Sequence, residues 1–391
     1  MRKITLILAM IFISTSSFSQ GIEEIIVTAN KREQTVQDIP MNISVITSDA
    51  ITERGIYNPE DYLRTLAGVS TPGGDTYYTM RGLNTGTAQV NSGTSNTFMG
   101  EISMGMTNLY DINRIEVLRG PQGTLYGSNA VGGTIRYITA MPSFDEFEGN
   151  VTLEYSDKKL AEDSGYAYNA MVNVPLSDTM AMRAVYTSGK NPGIYQNIAT
   201  GRKDIGNQDD DEYRLMFRYA DGPLDLNLMI MKRERFDFGQ KEKGNADKPG
   251  TADIVDPNCV YDTAWYYGAT CTRVFATAGG DLAGWDEDVA FYSYTDETFD
   301  VESSVVSLTA NYDFEAFSAT LILANYDFDE YSVTDWSRID TDDLYPDPLY
   351  YYGDAKRETQ ELRFTSKGDG PIQWTAGYFR TDYESAPNSV M

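Results

Sequence analysis

From residue 148 onward the chain repeats one pattern. Apolar and polar side chains alternate residue by residue, in runs joined by connections that are short and long in turn. "EGNVTLEYS" sets Val151, Leu153 and Tyr155 against Asn150, Thr152 and Glu154, and "YNAMVNV" sets Ala170, Val172 and Val174 against Asn169, Met171 and Asn173. "EYRLMFRYA" places Tyr213, Leu215, Phe217 and Tyr219 opposite Arg214, Met216 and Arg218, and "LDLNLMI" places Leu224, Leu226 and Leu228 opposite Asp225, Asn227 and Met229. "VVSLTANY", "FSATLIL", "TQELRFTS" and "IQWTAGYF" continue it. A period of two is the strand period, because successive side chains leave opposite faces of a pleated chain. About nine such strands are legible, each near the roughly ten residues that let a tilted strand cross a bilayer.

The connections decide between two architectures. "PLSDT", "ADGP", "DFEA" and "SKGDGP" read as tight turns, and between them lie the long links 157–166, 189–210, 233–302 and 329–356. Short turns at one end and long loops at the other are the outer-membrane barrel pattern. A secreted β-sandwich also alternates in hydrophobicity, but nothing in it requires strict alternation of loop length. A mean hydropathy of −0.40 is too polar for a bundle of membrane helices and suits a barrel with one wet face. The chain carries 58 acidic against 31 basic residues, a formal charge of −27, which argues against a nucleic-acid partner. It has no histidine, which removes the usual general base, the Ser-His-Asp triad and the commonest transition-metal ligand. No bond chemistry, metal or cofactor is expected.

The N-terminus reads as a secretory signal over residues 1–20. Arg2 and Lys3 precede the apolar run "ITLILAMIFI", then "STSSFSQ" supplies Ser17 and Ser19 near a cleavage point. The apolar run is too short to span a bilayer as a helix. The mature chain is expected to begin near Gln20 or Gly21, outside the cytoplasm. Cys259 and Cys271 both fall in the 233–302 link, and an oxidising compartment is expected to pair them. Closing so small a loop restrains it by about 3 kcal/mol in the chain-entropy model. Residues 21–35 hold the β-prone heptad Glu23, Glu24, Ile25, Ile26, Val27, Thr28 and Ala29, followed by a charged linker. Such a segment either adds as a strand to another protein's sheet edge or forms the first strand of its own domain.

Residues 36–142 read as a small α+β domain. A β-run from Ile43 to Ile46 leads into a helix with Ser48 as N-cap, Asp49 behind it and Gly55 at its end. Asn58 caps a second helix, Pro59 opens it, Leu63 and Leu66 face inward, and Gly68 closes it. "TYYTMRGLN" is a strand ending at Arg81-Gly82. "DINRIEVLRGP" is another, with Ile115 and Val117 alternating against Glu116 and Leu118. The segment from Asn84 to Gly105, rich in Gly, Ser, Thr and Asn, reads as loops. The stretch "RGPQGTLYGSNAVGGTIRYIT" is glycine-rich at 120, 123, 127, 132 and 133, yet it holds neither Gly-Lys-Ser/Thr nor the dinucleotide spacing. Tight turns and close backbone packing explain it better than phosphate binding.

At these residues a family resemblance becomes specific. "IEVLRGPQGTLYGSNAVGGTIRYIT" is similar to the end of the plug domain of TonB-dependent outer-membrane receptors. "EEIIVTA" resembles their TonB box, and "IPMNISVITSDAI" and "YTMRGLN" resemble other plug motifs in the same order. One departure is "FMGEISMG", where the family often has a strand reading like valine-tyrosine-valine-aspartate-glycine and Glu101 stands in place of the acidic residue. The resemblance implies an α+β plug domain followed by an incomplete antiparallel transmembrane β-barrel, about nine of about 22 strands. It divides the chain into the signal peptide 1–20, box and linker 21–35, plug 36–142, and partial barrel with long extracellular loops 143–391. The end, "YESAPNSVM", lacks the terminal aromatic of the family's last strand, so the chain reads as the N-terminal part of a longer receptor.

The resemblance also implies a function, partners and site residues. The expected activity is import of a scarce, bulky ligand across the outer membrane, with energy supplied through TonB by strand addition at the box. A ferric siderophore is the default ligand; a glycan or other non-iron nutrient is the alternative. A passive porin-like channel, which would have neither box nor plug, is more remote. The absence of histidine argues against a haem receptor that grips iron through imidazole. Outer-membrane lipid is the surrounding partner and a monomer is expected. Aromatics in the links, Trp265, Tyr266 and Tyr267 in "WYYG" and Tyr350, Tyr351 and Tyr352 in "LYYYGD", either stack on ligand or serve as loop-packing and interface residues. In the family two plug arginines are locked to barrel glutamates. Arg81 in "MRG" and Arg119 in "LRGP" match the plug positions. Glu361, turned inward by Leu362 and Phe364, is the expected barrel partner, with Glu116 orienting the pair.

Overall fold

A computed structural model of the chain describes residues 25–386, apart from 33, 40, 55, 57–58, 72–77, 85–94, 106, 128–129, 198–199, 240–289, 292–294, 336–347 and 369. The first pair of strands, β1 (Ile26–Val27) and β2 (Gln34–Thr35), is antiparallel. Then come β3 (Asn42–Thr47), α1 (Ser48–Glu53) and α2 (Pro59–Leu63). A ribbon follows, made of β4 (Val69–Ser70), β5 (Thr79–Met80) and β6 (Leu83–Asn84). The plug is completed by β7 (Ser95–Met99), β8 (Ile102–Ser103), β9 (Ile112–Arg119), the single turn α3 (Gly123–Tyr126) and β10 (Gly133–Thr139). Five of these strands form one sheet in the order β3-β9-β10-β7-β8, with β10 parallel to β7.

Three local expectations change on contact with the structure. The cap of α1 is Thr47, not Ser48: Thr47 is extended, and its hydroxyl oxygen accepts from the Ala50 amide at 3.3 Å. The segment expected to be loop contains β7 and β8, because β10, more than thirty residues downstream, supplies the pairing partner. β9 does alternate, but both of its faces are covered. Ile115 and Val117 enter a core with Ile51, Tyr62 and Leu63 from the helices. Leu118 enters a second cluster with Val27, Ala29, Phe98 and Tyr126, and Glu116 on that face is fully buried.

The barrel part is a nine-stranded antiparallel sheet. Its strands are β11 (Glu148–Ser156), β12 (Gly165–Ser177), β13 (Met180–Asn191), β16 (Asn207–Asp221), β17 (Leu224–Phe238), β19 (Thr298–Asp313), β20 (Phe317–Asp335), β21 (Pro348–Ser366) and β22 (Thr375–Ser385), paired in that order. The numbers skipped are three short strands in a separate small sheet: β14 (Tyr195–Asn197), β15 (Arg202–Ile205) and β18 (Ala290–Phe291). The nine-stranded sheet is open, with β11 and β22 at its edges. The strands run from 9 to 19 residues; β11 matches its sequence pattern, and β20 and β21 extend beyond theirs toward the long-loop ends.

Register gives the sheet two chemically different faces. One row across six strands reads Tyr219, Leu226, Ala310, Leu321, Leu362 and Tyr378, all on the outer face. The adjacent row, which includes Asn227, Thr309, Ile322 and Glu361, turns inside. At the tight-turn end Phe314 packs on Tyr312 and on Phe317, each at 4.6 Å between ring centroids, and Phe317 meets Trp374 at 6.3 Å. Such an aromatic row marks a lipid–water interface. Nearer the long loops the outer face turns charged: Lys232 pairs with Glu234 at 2.7 Å and Glu302 at 2.8 Å. The crossing from plug to barrel is gripped by buried Asn173. It accepts from the Ser143 amide at 2.9 Å and donates to the carbonyls of Ser143 and Glu146, both at 3.0 Å.

Candidate functional site

The heptad read as the box packs, through its described residues, against the face of β9 that the helices leave uncovered. Glu23 and Glu24 fall outside the described residues. Val27 and Ala29 are fully buried, whereas Ile26 just before them is 54% exposed. The Val36 amide donates to the Ile25 carbonyl at 3.1 Å, extending the β1–β2 hairpin. The Thr28 amide donates to Glu116 Oε1 at 3.3 Å, and the Thr28 hydroxyl accepts from Arg136 at 3.1 Å. The Tyr126 hydroxyl donates to the Ala29 carbonyl at 2.7 Å. The box is therefore a strand of its own domain in this conformation, while one of its side chains stays accessible.

Behind the box lies a buried charge network that ends on the barrel wall. Lys31 forms an ion pair with Glu101. Arg136 binds Glu101 at 3.0 Å and Glu116 at 2.6 Å, and Arg114 binds Glu116 at 2.8 Å. Across the seam Arg363 lies 3.7 Å from Glu101 and pairs with Glu361 beside it. Burial alone would raise the Glu101 carboxyl, but Lys31, Arg136 and Arg363 together pull it down to about 2. Burial lowers the Lys31 ammonium, opposed by Glu101. Desolvating this many charges is costly, and the arrangement persists because each buried carboxylate meets several cations. The Tyr126 ring adds a surface for two of them: Lys31 lies 4.5 Å and Arg136 5.5 Å from its centroid.

The expected latch is built differently. Glu361 does face the lumen, as alternation requires, but its partner is Arg363. Arg119 instead donates to Asn42 and Ser44, both at 3.0 Å, because β3 is its immediate neighbour. Arg81 sits in a turn with φ 54°, its guanidinium packed over Gly120. Glu116 orients Arg114, Arg136 and the box rather than Arg81 or Arg119. Among the described contacts none joins Arg81 or Arg119 to Glu361. The carboxylate of this network that reaches the wall is Glu101, in the segment that departs from the family pattern.

Further contacts seat the plug in the open sheet. Arg32, just past the box, donates to the Ser366 carbonyl at 3.0 Å, the Ser366 hydroxyl at 2.9 Å and the Trp374 carbonyl at 2.6 Å. Arg183 grips Asp111 in a two-pronged pair at 2.9 and 2.5 Å. Glu212 accepts from the Thr107 hydroxyl at 2.5 Å and the Asn108 amide at 3.1 Å. Arg357 donates to the Ser103 carbonyl at 3.0 Å. Between these polar points Met99, Ile102 and Met104 of the plug pack on Met216, Met229 and Met231 of the wall. No local sequence signal marks these partners, the nearest of which are 72 positions apart.

Of the aromatic residues singled out, Trp265, Tyr266 and Tyr267 lie outside the described residues, as do Cys259 and Cys271. Tyr350 and Tyr352 are on the outer face, where Tyr352 packs on Tyr331 with centroids 4.7 Å apart. Tyr351, between them, takes the lumen side. Among the described residues no group of three or more His, Cys, Asp or Glu is placed to hold a metal ion.

Comparison with known proteins agrees with this geometry. Residues 35–134 match the family model of the TonB-dependent receptor plug domain. The iron-regulated outer membrane virulence protein of Vibrio cholerae is 34% identical over 187 residues, 44% of this chain and 28% of that protein. The vitamin B12 transporter BtuB of Vibrio vulnificus is 28% identical over 187 residues, covering 45% of this chain and 29% of that protein. In fold, the chain is similar to the crystal structure of the ferric yersiniabactin uptake receptor FyuA from Yersinia pestis. The TM-score is 0.65 at 17% identity, covering 88% of this chain and 49% of that one. The chain thus spans under a third of those curated relatives and about half of the solved receptor. The family consists of transporters and receptors of the Gram-negative outer membrane, not enzymes. Residues 35–134 thus belong to the plug-domain family of TonB-dependent receptors, and the nine strands around them have the fold of the barrels of such receptors.

Proposed function

We propose that the chain forms the N-terminal part of an energised importer, in which TonB captures the box by strand addition and pulls on the plug. The carrying observation is the state of the box: an extended segment with Ile26 exposed, tied by few hydrogen bonds to the element that fills the lumen. Force applied there is transmitted through Lys31 and Glu101 to the plug and through Arg32 to the barrel turn. The ligand class we propose is a ferric siderophore. The names of an iron-regulated relative, of a ferric yersiniabactin uptake receptor and of a siderophore receptor of similar fold support that class. The vitamin B12 transporter among the relatives makes cobalamin the competing ligand to test.

The test is uptake by the full-length receptor in a strain lacking its own siderophore receptors. Iron-55 delivered by a panel of ferric catecholates, hydroxamates and mixed chelates is compared with labelled cobalamin, with and without TonB. TonB-dependent accumulation of one ferric chelate is the expected result. Accumulation that persists without TonB would overturn the energised reading, and accumulation of cobalamin alone would overturn the ligand class.

A further inference from the structure

The glycine-rich stretch lacks the phosphate-binding motifs, and the structure shows what its central turn holds. α3 is one turn long. It is set by Gln122, whose carbonyl accepts from the Leu125 amide at 3.1 Å and the Tyr126 amide at 3.0 Å. Gly127 closes it in a left-handed conformation, φ 78°, which a residue with a side chain resists. This turn presents Tyr126 to the box, 5% exposed, with its ring edge-on to Phe98 at 5.3 Å. Its hydroxyl takes the Ala29 carbonyl, and its face takes Lys31 and Arg136. One side chain thus holds the last residue of the box and the first cation after it.

Two further facts bear on release. Strand addition requires the backbone amides and carbonyls of the added segment. The Ala29 carbonyl is occupied by Tyr126 and the Thr28 amide by Glu116, so an incoming strand must displace both. The charge network also tolerates departure of the box. Lys31, Arg114, Arg136 and Arg363 face Glu101, Glu116 and Glu361, four cations to three anions. Withdrawal of Lys31 leaves three of each, so no buried charge is stranded.

We propose that Tyr126 is the catch of the box: a positioning residue whose hydroxyl and ring hold Ala29 and Lys31 together and let them go together. The inference rests on reading residues 23–29 as the segment TonB captures. In the full-length receptor, hydrogen exchange of the peptide spanning residues 25–36 is compared among the parent, Tyr126→Phe and Tyr126→Leu. Exchange of β9, residues 112–119, serves as the internal control for plug integrity. Tyr126→Phe keeps the ring and loses one net hydrogen bond, so box exchange is expected to rise roughly fivefold. Tyr126→Leu also loses the cation surface and is expected to add roughly another threefold. β9 is expected to stay as protected as in the parent.

Unchanged box exchange in both variants would overturn the catch. So would equal acceleration of β9, which would make Tyr126 a plain core residue. Binding of a purified TonB C-terminal domain is measured on the same samples and is expected to rise in the order parent, Phe, Leu. Failure of that domain to bind any of the three, with faster box exchange, would count against the TonB reading while leaving the catch in place.

Discussion

Arg32 and Trp374 lie 342 positions apart, and the guanidinium of the first donates to the carbonyl of the second at 2.6 Å. With its two bonds to Ser366, Arg32 fastens the downstream flank of the box to the turn between β21 and β22, beside the interfacial aromatic row. Hydrogen bonds from a charged donor are worth about 1.5–3 kcal/mol each in favourable sites, less where water competes. Arg32→Ala is therefore expected to raise amide exchange over residues 31–36 by about tenfold or more while leaving barrel melting unchanged. Arg32→Lys, a single point donor, is expected to fall between. Exchange in the alanine variant that matches the parent would show that the fastening does not restrain the box.

Ile26 is the exposed residue among the described part of the box, and it pairs with Thr35 across the β1–β2 hairpin. Proline there removes an amide donor and fixes φ, which defeats strand addition. In the full-length receptor Ile26→Pro is expected to bind ligand normally and abolish uptake, whereas Ile26→Ala, which keeps the donor, is expected to transport. Normal uptake by the proline variant would remove strand pairing at this position from the mechanism.

What the sequence disclosed and what it hid divide along the range of the interactions. The sheet was legible because its pattern is local: Leu362 and Phe364 against Glu361 and Arg363 already state which face meets lipid. Pro59, Leu63 and Leu66 announced α2 in the same way. The burial of Glu116 was not legible, because it depends on a box segment ninety residues upstream folding back over β9. Nor was the seam. Lys31, Glu101 and Arg363 carry no shared spacing, and the match of Arg81 and Arg119 to family positions pointed to a different pair. The usable clue was Glu101 itself, a charge set in an otherwise apolar and glycine-rich segment, where a buried carboxylate has to find cations.

The network gives the plug an acid response. Glu101 titrates near 2 in the folded plug against an ordinary 4.5. A depressed carboxylate contributes stability that is complete above its unfolded value and is lost as the pH falls through its folded one. The groups that set it are Lys31 and Arg136 within the plug and Arg363 on the wall. Plug docking is expected to be flat from neutral pH to about 4.5 and to weaken between there and about 2, by at most about 3 kcal/mol. Glu101→Gln is expected to weaken docking at neutral pH and to lose the acid-dependent component. Leak conductance of the full-length receptor in planar bilayers, titrated from pH 7 to pH 2, reads both. An acid response undiminished in the glutamine variant would assign it to other carboxylates.

Arg363 is shared between two carboxylates, and this sets the sign of two substitutions. Glu361 lies beside it on the same strand and takes its nearer contact, while Glu101 stands 3.7 Å away across the seam. Glu361 therefore competes with the plug for the arginine. Glu361→Gln weakens the competitor, frees Arg363 to close on Glu101, and is expected to leave the plug as tight as in the parent or tighter. Arg363→Met removes the cation from both carboxylates. Glu101 keeps Lys31 and Arg136, so the plug stays folded, but its tie to the wall goes, and the cost is expected at about 1–3 kcal/mol of docking. Leak conductance should then rise in Arg363→Met and not in Glu361→Gln, with barrel melting the same in both. Equal leak from the two variants would mean that Glu361 itself, rather than Glu101 through Arg363, holds the plug to the wall.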